Sequence, residues 1–117
     1  MINAVHTLIH AQDAEKARNF FRDVLGFPAV DAGHGWLIFA LPPAELGIHP
    51  GEGETRHEIF LMCDDIERTV AELKAKGVEI AEPVQALSYG LVTKIVIPGA
   101  GQMGLYQPRH PTPLKLG

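Results

Sequence analysis

The chain has 117 residues, 46% of them hydrophobic and 21% charged, which is ordinary globular usage and excludes a disordered polymer. Its 10 basic and 14 acidic residues give a formal charge of -4, so the basic footprint of a nucleic-acid-binding protein is absent. The single cysteine, Cys63, excludes an internal disulfide framework and a cysteine-rich zinc site. Area scaling expects a folded surface near ~6,200 Å² against ~18,000 Å² unfolded, enough burial for one core without covalent staples. The start, Met1 to His6, lacks the basic region and apolar core of a leader peptide. The longest apolar run, Trp36 to Leu41, is far short of the ~20 residues a membrane helix needs. A soluble, cytoplasmic chain with neither membrane nor nucleic-acid partner is expected.

In chain order, Ile2 to His10 reads as a strand rich in Val, Ile and Thr. Asp13 offers an N-cap to a helix carrying Ala17, Phe20, Phe21, Val24 and Leu25 at helical spacing, with Gly26 as its stop. Three strands are expected next, at Pro28 to Val30, Trp36 to Leu41 and Leu46 to His49. A connector rich in Gly and Glu covers residues 51–55. The pattern then restarts. Glu58 to Met62 reads as a strand, and Asp65 caps a helix with Ile66, Val70 and Leu73 on one face and Gly77 as its stop. Glu72 and Lys76 are spaced for an i,i+4 pair. Strands are expected at Val78 to Ile80, Leu91 to Ile97 and Met103 to Tyr106, the last preceded by the turn Pro98 to Gly101. The proline-containing tail, residues 108–117, is expected to be extended.

The restart is an internal repeat. Asp13-Ala14-Glu15-Lys16 matches Asp65-Ile66-Glu67-Arg68, and the same offset sets His6 opposite Glu58. Leu46-Gly47-Ile48-His49-Pro50 echoes Met103-Gly104-Leu105-Tyr106, with Pro108 one residue later. The fold class is therefore α+β, two βαβββ modules (about 1–50 and 56–107) forming curved mixed sheets. Neither module can bury a core alone, and pairing them leaves a concave surface suited to a ligand.

The landmarks Val5-His6-Thr7, Asp13, Phe20-Phe21, Val24-Leu25-Gly26-Phe27, Cys63-Asp64-Asp65-Ile66-Glu67, Lys76-Gly77-Val78, Tyr89-Gly90 and Pro98-Gly99-Ala100-Gly101 together resemble the vicinal oxygen chelate superfamily. That superfamily includes glyoxalase I, the bleomycin and fosfomycin resistance proteins and the extradiol dioxygenases. In its metal-dependent members the ligands lie on the first, fourth, fifth and eighth strands. By position the resemblance implies His6 and Glu58 for the first and fifth. The fourth and eighth fall on Gly47 and Gly104, which have no side chain to offer. It also implies a homodimer, which the open sheet edges independently favour.

A catalytic zinc site needs three protein ligands and an open position, and a non-haem iron oxygenase needs two His and one carboxylate. His6 and Glu58 supply two donors toward one divalent metal (Zn, Ni, Mn or Fe). Glu45 and His49 share a strand face with Gly47 and are the candidates for a third, each displaced along the strand by roughly 6.5–7 Å. Without a metal, His6 and Glu58 are either a polar pair in the cleft or a base–acid couple for a carbonyl substrate. Gly47 and Gly104 either mark bulges and close packing or widen the cleft. His49, Tyr106 and Trp36 are candidate cleft residues, and core packing is the alternative for the two aromatics. Phe39 and Phe60 carry the same ambiguity. Cys63 precedes two acids, which oppose thiolate formation. His10, His34 and His110 are surface or loop residues without an assigned role. Two functions follow from the resemblance. One is an enzyme of lyase, isomerase or dioxygenase type with a degraded or rebuilt metal site. The other is a non-enzymatic binder that sequesters a drug or metabolite. A third reading is a regulatory or interaction domain that keeps only the fold.

Overall fold

Both helices begin where an aspartate can satisfy free backbone amides. In the computed structural model, which describes residues 1, 4 and 6–115, Asp13 Oδ1 accepts from the Lys16 amide at 3.1 Å and Asp65 Oδ1 from the Arg68 amide at 3.1 Å. These contacts start α1 (Ala14–Asp23) and α2 (Ile66–Ala75). Replacing Asp65 by alanine frees that amide and is expected to cost about 1 kcal/mol, read as a lower urea midpoint at unchanged slope. α2 ends at Gly77, whose φ of +84° lies in the left-handed region that a side chain disfavours. Its amide donates to the Lys74 carbonyl at 2.9 Å.

The strands form two sheets. β1 (Ala29–Asp31) and β2 (Leu37–Phe39) pair antiparallel. β3 (Phe60–Met62), β4 (Gln85–Leu87), β5 (Gly90–Val96) and β6 (Gln102–Pro108) form a mixed sheet in the order β3-β6-β5-β4. β3 runs parallel to β6, and the other pairs are antiparallel. β3, α2 and the strands after it make a βαβββ-like unit, and the whole is the expected α+β fold. A parallel β3–β6 pair needs a crossover, which α2 supplies.

Side chains alternate across this sheet. Thr93, Ile95, Met103 and Leu105 point to the covered face, where they are buried in one cluster with Ile66, Val70 and Leu73 of α2 and Ala17, Phe20 and Phe21 of α1. The buried Thr93 hydroxyl donates to the Glu82 carbonyl at 2.6 Å, so no polar penalty remains there. The Asp13 amide donates to the Gly99 carbonyl at 2.9 Å, seating the start of α1 on the β5–β6 turn.

The first half differs from the expected pattern. Residues 6–10 form no strand, and residues 2, 3 and 5 of the expected Ile2–His10 strand lie outside the described residues. Leu46 to His49 forms no strand either, and the connector widens to a stretch from 40 to 59 without helix or strand. Among the described residues neither segment has a neighbour to share its backbone hydrogen bonds, and a lone strand is not stable in water. Val78 to Ile80 shrinks to a single bridge, Ile80 opposite Ile95, and the fourth strand of the sheet forms at Gln85–Leu87 instead. Glu72 pairs with Arg68 at 3.2 Å rather than with Lys76, because α2 ends at Ala75 and Lys76 no longer keeps helical spacing. The accessible surface is 9177 Å², about one and a half times the ~6,200 Å² expected for 12.7 kDa.

Candidate functional site

The face of the four-stranded sheet that the helices leave open carries Phe60 and Met62 from β3, Gly104 and Tyr106 from β6, Val92 from β5 and Leu87 from β4. Register makes it an aromatic surface. Phe60 stands opposite Gly104, and its ring occupies the space that a Gly104 side chain would fill. The Tyr106 ring occupies the corresponding space over Gly90. Two glycines on neighbouring strands thus let two rings lie against backbone. Phe60 remains 41% exposed and Tyr89 46%. Phe60 and Tyr89 flank Tyr106 at centroid distances of 6.0 and 6.1 Å, inclined to it by 62° and 63°. The Tyr106 hydroxyl donates to the Tyr89 carbonyl at 3.1 Å, which fixes the ring.

A cavity of about 370 Å³ opens beside Phe60 and Gly104, lined also by Leu8, Ile9, His57, Glu58, Lys94 and Gln102. Beyond Tyr106 lies a carboxylate. Glu45 is 20% exposed at its side chain and stands 4.0 Å from His110 Nε2. It accepts from the Thr112 hydroxyl at 2.8 Å. The His110 ring lies 5.7 Å from the Tyr106 ring. Burial pushes the Tyr106 phenol above its ordinary pKa, with the Glu45 charge adding to it, so Tyr106 stays a neutral donor.

The structure brings some of the sequence-designated residues to this face and leaves others apart. Glu58 lines the cavity, Gly104 forms its floor, and Tyr106 adjoins it. Glu58 is exposed and its nearest cation is Arg56 at 4.0 Å. His6 is exposed on the unpaired N-terminal segment and forms no ion pair with Glu58 among the described residues. Gly104 does not widen a cleft, since Phe60 fills the space above it. Gly47 and His49 are exposed neighbours, with His49 Nε2 3.7 Å from where a Gly47 side chain would begin. Trp36 is neither core nor cleft. It is exposed, with the Arg18 guanidinium 5.2 Å over its ring, because β2 has no covering layer on that side. Among the described residues no three His, Cys, Asp or Glu side chains converge as a metal site needs. His6, Glu58, Glu45 and His49 are therefore not gathered around one point among the described residues.

Sequence reasoning left Tyr89 and Thr112 unassigned and put His110 on the surface. One signal for the aromatic face was present, namely glycines at alternate positions on strands that pair with aromatic-bearing ones. Register was the missing piece of information. Cys63 lies at the end of β3, partly buried. Burial pushes its thiol above the ordinary value, and Asp64 and Asp65 add to the rise. Less thiolate exists at neutral pH than on a free thiol, so alkylation by iodoacetamide at pH 7 is expected to be slower than for free cysteine, and to accelerate toward alkaline pH.

Residues 3–93 match the family model described as the glyoxalase/bleomycin resistance protein/dioxygenase superfamily. The chain belongs to that superfamily. Among solved structures, the antibiotic-binding protein TnmS3 from Streptomyces sp. CB03234 is 26% identical, with 89% of this chain and 99% of that one covered at a TM-score of 0.58. A superfamily member from Sphaerobacter thermophilus is 24% identical, covering 91% and 98% at a TM-score of 0.63. Lactoylglutathione lyase from Agrobacterium tumefaciens, 15% identical with 83% and 87% covered, shares the fold at a TM-score of 0.59. No curated protein matches the sequence. Among the described residues no helix is long and apolar enough to cross a membrane.

Proposed function

We propose that this superfamily member binds and sequesters a flat, ring-containing small molecule on the open face of its four-stranded sheet. The observation that carries the reading is the pair of rings, Phe60 and Tyr106, held against Gly104 and Gly90 with Tyr89 beside them. Exposed aromatics fixed by backbone packing lose little entropy on binding a flat ligand. The antibiotic-binding relative supports the same direction. The test is a thermal-shift and calorimetric panel of flat aromatic compounds against the chain and its Tyr106→Leu variant. Compounds that raise the melting temperature of the parent and not of the variant support the reading. A panel that stabilises neither, or both equally, defeats it.

A second reading keeps catalysis, because Glu58 faces the cavity with His57 and Lys94 at its rim. In that reading Glu58 and His6 act on a carbonyl compound, with or without a divalent metal. Stabilisation by Zn, Ni, Mn or Fe that Glu58→Gln and His6→Ala both abolish supports the metal form. Turnover unchanged by both substitutions removes the catalytic reading.

Assembly as a homodimer belongs to the same proposal. The surface exceeds the single-chain expectation by about 3,000 Å², or about 6,000 Å² over two chains, which is more than the roughly 2,000–5,000 Å² total that large obligate interfaces bury and leaves ample surface for one. Leu46 and Ile48 are exposed on the unpaired segment. Light scattering that returns twice 12.7 kDa supports the dimer, and a single-chain mass at high concentration refutes it.

A further inference from the structure

We infer that the end of the open face formed by Tyr106, Phe60, Tyr89 and Glu45 is a cradle for the positively charged part of a flat aromatic ligand, and that His110 of the chain's own tail now sits in that cradle. The inference rests on the open-face reading and adds the charge class of the ligand. Three observations carry it. Phe60 and Tyr89 lie 6.0 and 6.1 Å from Tyr106 and are steeply inclined to it, so three aromatic rings are gathered at this end of the face, and a ring face attracts a cation. The Glu45 carboxylate, largely withdrawn from water, lies past Tyr106 and supplies the opposite charge where screening is reduced.

The third observation is what already occupies the place. The His110 imidazole is a flat ring able to carry a positive charge. It lies tilted by 36° at 5.7 Å from Tyr106, with Nε2 4.0 Å from Glu45. It therefore makes the two contacts expected of the ligand, one to the aromatic floor and one to the carboxylate. The tail holds it there through few bonds. Thr112 donates to Glu45 at 2.8 Å, the Arg109 amide donates to the Tyr89 carbonyl at 2.9 Å, and His110 Nδ1 lies 2.7 Å from the Pro111 carbonyl of the tail itself. A ligand displaces His110 by supplying a larger ring to Tyr106 and a permanent charge to Glu45.

The test titrates the full chain with N-methylacridinium, a permanent cation, and with acridone and acridine-9-carboxylate as its neutral and anionic counterparts. The parent should prefer the cation over acridone by about tenfold, with the anion weakest. Glu45→Gln should reduce that preference to less than about threefold while melting near the parent temperature. His110→Ala should tighten cation binding by about threefold or more, because the competing ring is gone. His110→Gln gives a second variant that retains a polar side chain. If acridone binds as tightly as the cation and Tyr106→Leu abolishes both, the open face binds ligands and the charge inference is wrong. If none of the three probes binds, or Tyr106→Leu changes nothing, the open-face reading falls as well. Weaker cation binding in His110→Ala also overturns the inference, since His110 would then be part of the ligand's site rather than its occupant.

Discussion

Replacing Ile95 by alanine is expected to lower the unfolding free energy by about 2–5 kcal/mol, among the largest single losses available to this chain. Ile95 is 0% exposed in the middle of β5. It pairs with Met103 of β6 and is bridged on its other side by Ile80. The covered face below it holds Ile66 and Leu73 of α2 in the same cluster. β6 on one side and the Ile80 bridge on the other fix the backbone, so the cavity cannot close by a local shift, and its cost adds to the lost burial. Domains of this kind are stable by ~5–15 kcal/mol, and each kcal/mol moves Tm by roughly 4 °C. A fall of roughly 8–20 °C in a calorimetric scan is the expected result. Ile95→Val, which removes one methylene and keeps β-branching, should cost only about 0.5–1.5 kcal/mol. Equal losses for the two variants would defeat the packing account, since a loss set by packed volume grows with the atoms removed.

The second half of the chain was legible because each of its signals has a local cause. Asp65 binds an amide within its own turn, Gly77 supplies a conformation few residues adopt, and the apolar runs at 91–97 and 103–106 find partners close in sequence. β5 and β6 form within a residue or two of their expected limits. The first half was legible only in its helix and the two strands that pair with each other. The segments 6–10 and 46–49 have strand-like composition, and their pairing depends on a distant neighbour. Composition states that a segment can pair and says nothing of whether a partner lies within reach.

The site divides along the same line. Glu58 and Gly104 line one cavity, although Glu58 lies just before β3 rather than in it, so period-two alternation reaches only to Phe60. The repeat did not foresee that Phe60 would fill the space over Gly104, because that depends on a parallel pairing closed by the crossover helix. Nor did it bring Glu45 and His110 together. They lie far apart in sequence and meet where the irregular segment before β3 approaches the tail. Contacts between irregular segments have no periodicity to read. Trp36 was misassigned for a related reason, since an apolar strand is buried only if a second layer covers it.

Gly99→Ala is expected to cost about 2–4 kcal/mol, and its consequence reaches the ligand face. Gly99 has φ of +77°, where a Cβ costs about 1–2 kcal/mol. Its new side chain would also press on Asp13, within 2.8 Å of Cβ and against the backbone carbonyl, which cannot swing aside as a flexible side chain does. Relief requires the start of α1 to move off the β5–β6 turn. That breaks the 2.9 Å bond from the Asp13 amide to the Gly99 carbonyl, a loss of about 1 kcal/mol. Gly101 is the internal control. Its φ is +74°, yet nothing lies within 4 Å of a new Cβ, so Gly101→Ala should carry the conformational cost alone, about 1–2 kcal/mol. The difference between the two urea-derived losses measures the docking of α1, and equal losses would mean that the contact contributes nothing. Ala100 and Gln102 of the same turn line the 370 Å³ cavity beside Leu8 and Ile9, which lead into α1. Gly99→Ala should therefore weaken ligands that reach this end of the face more than those confined to Tyr106, and paired titrations with a long and a short aromatic compound would separate the two effects.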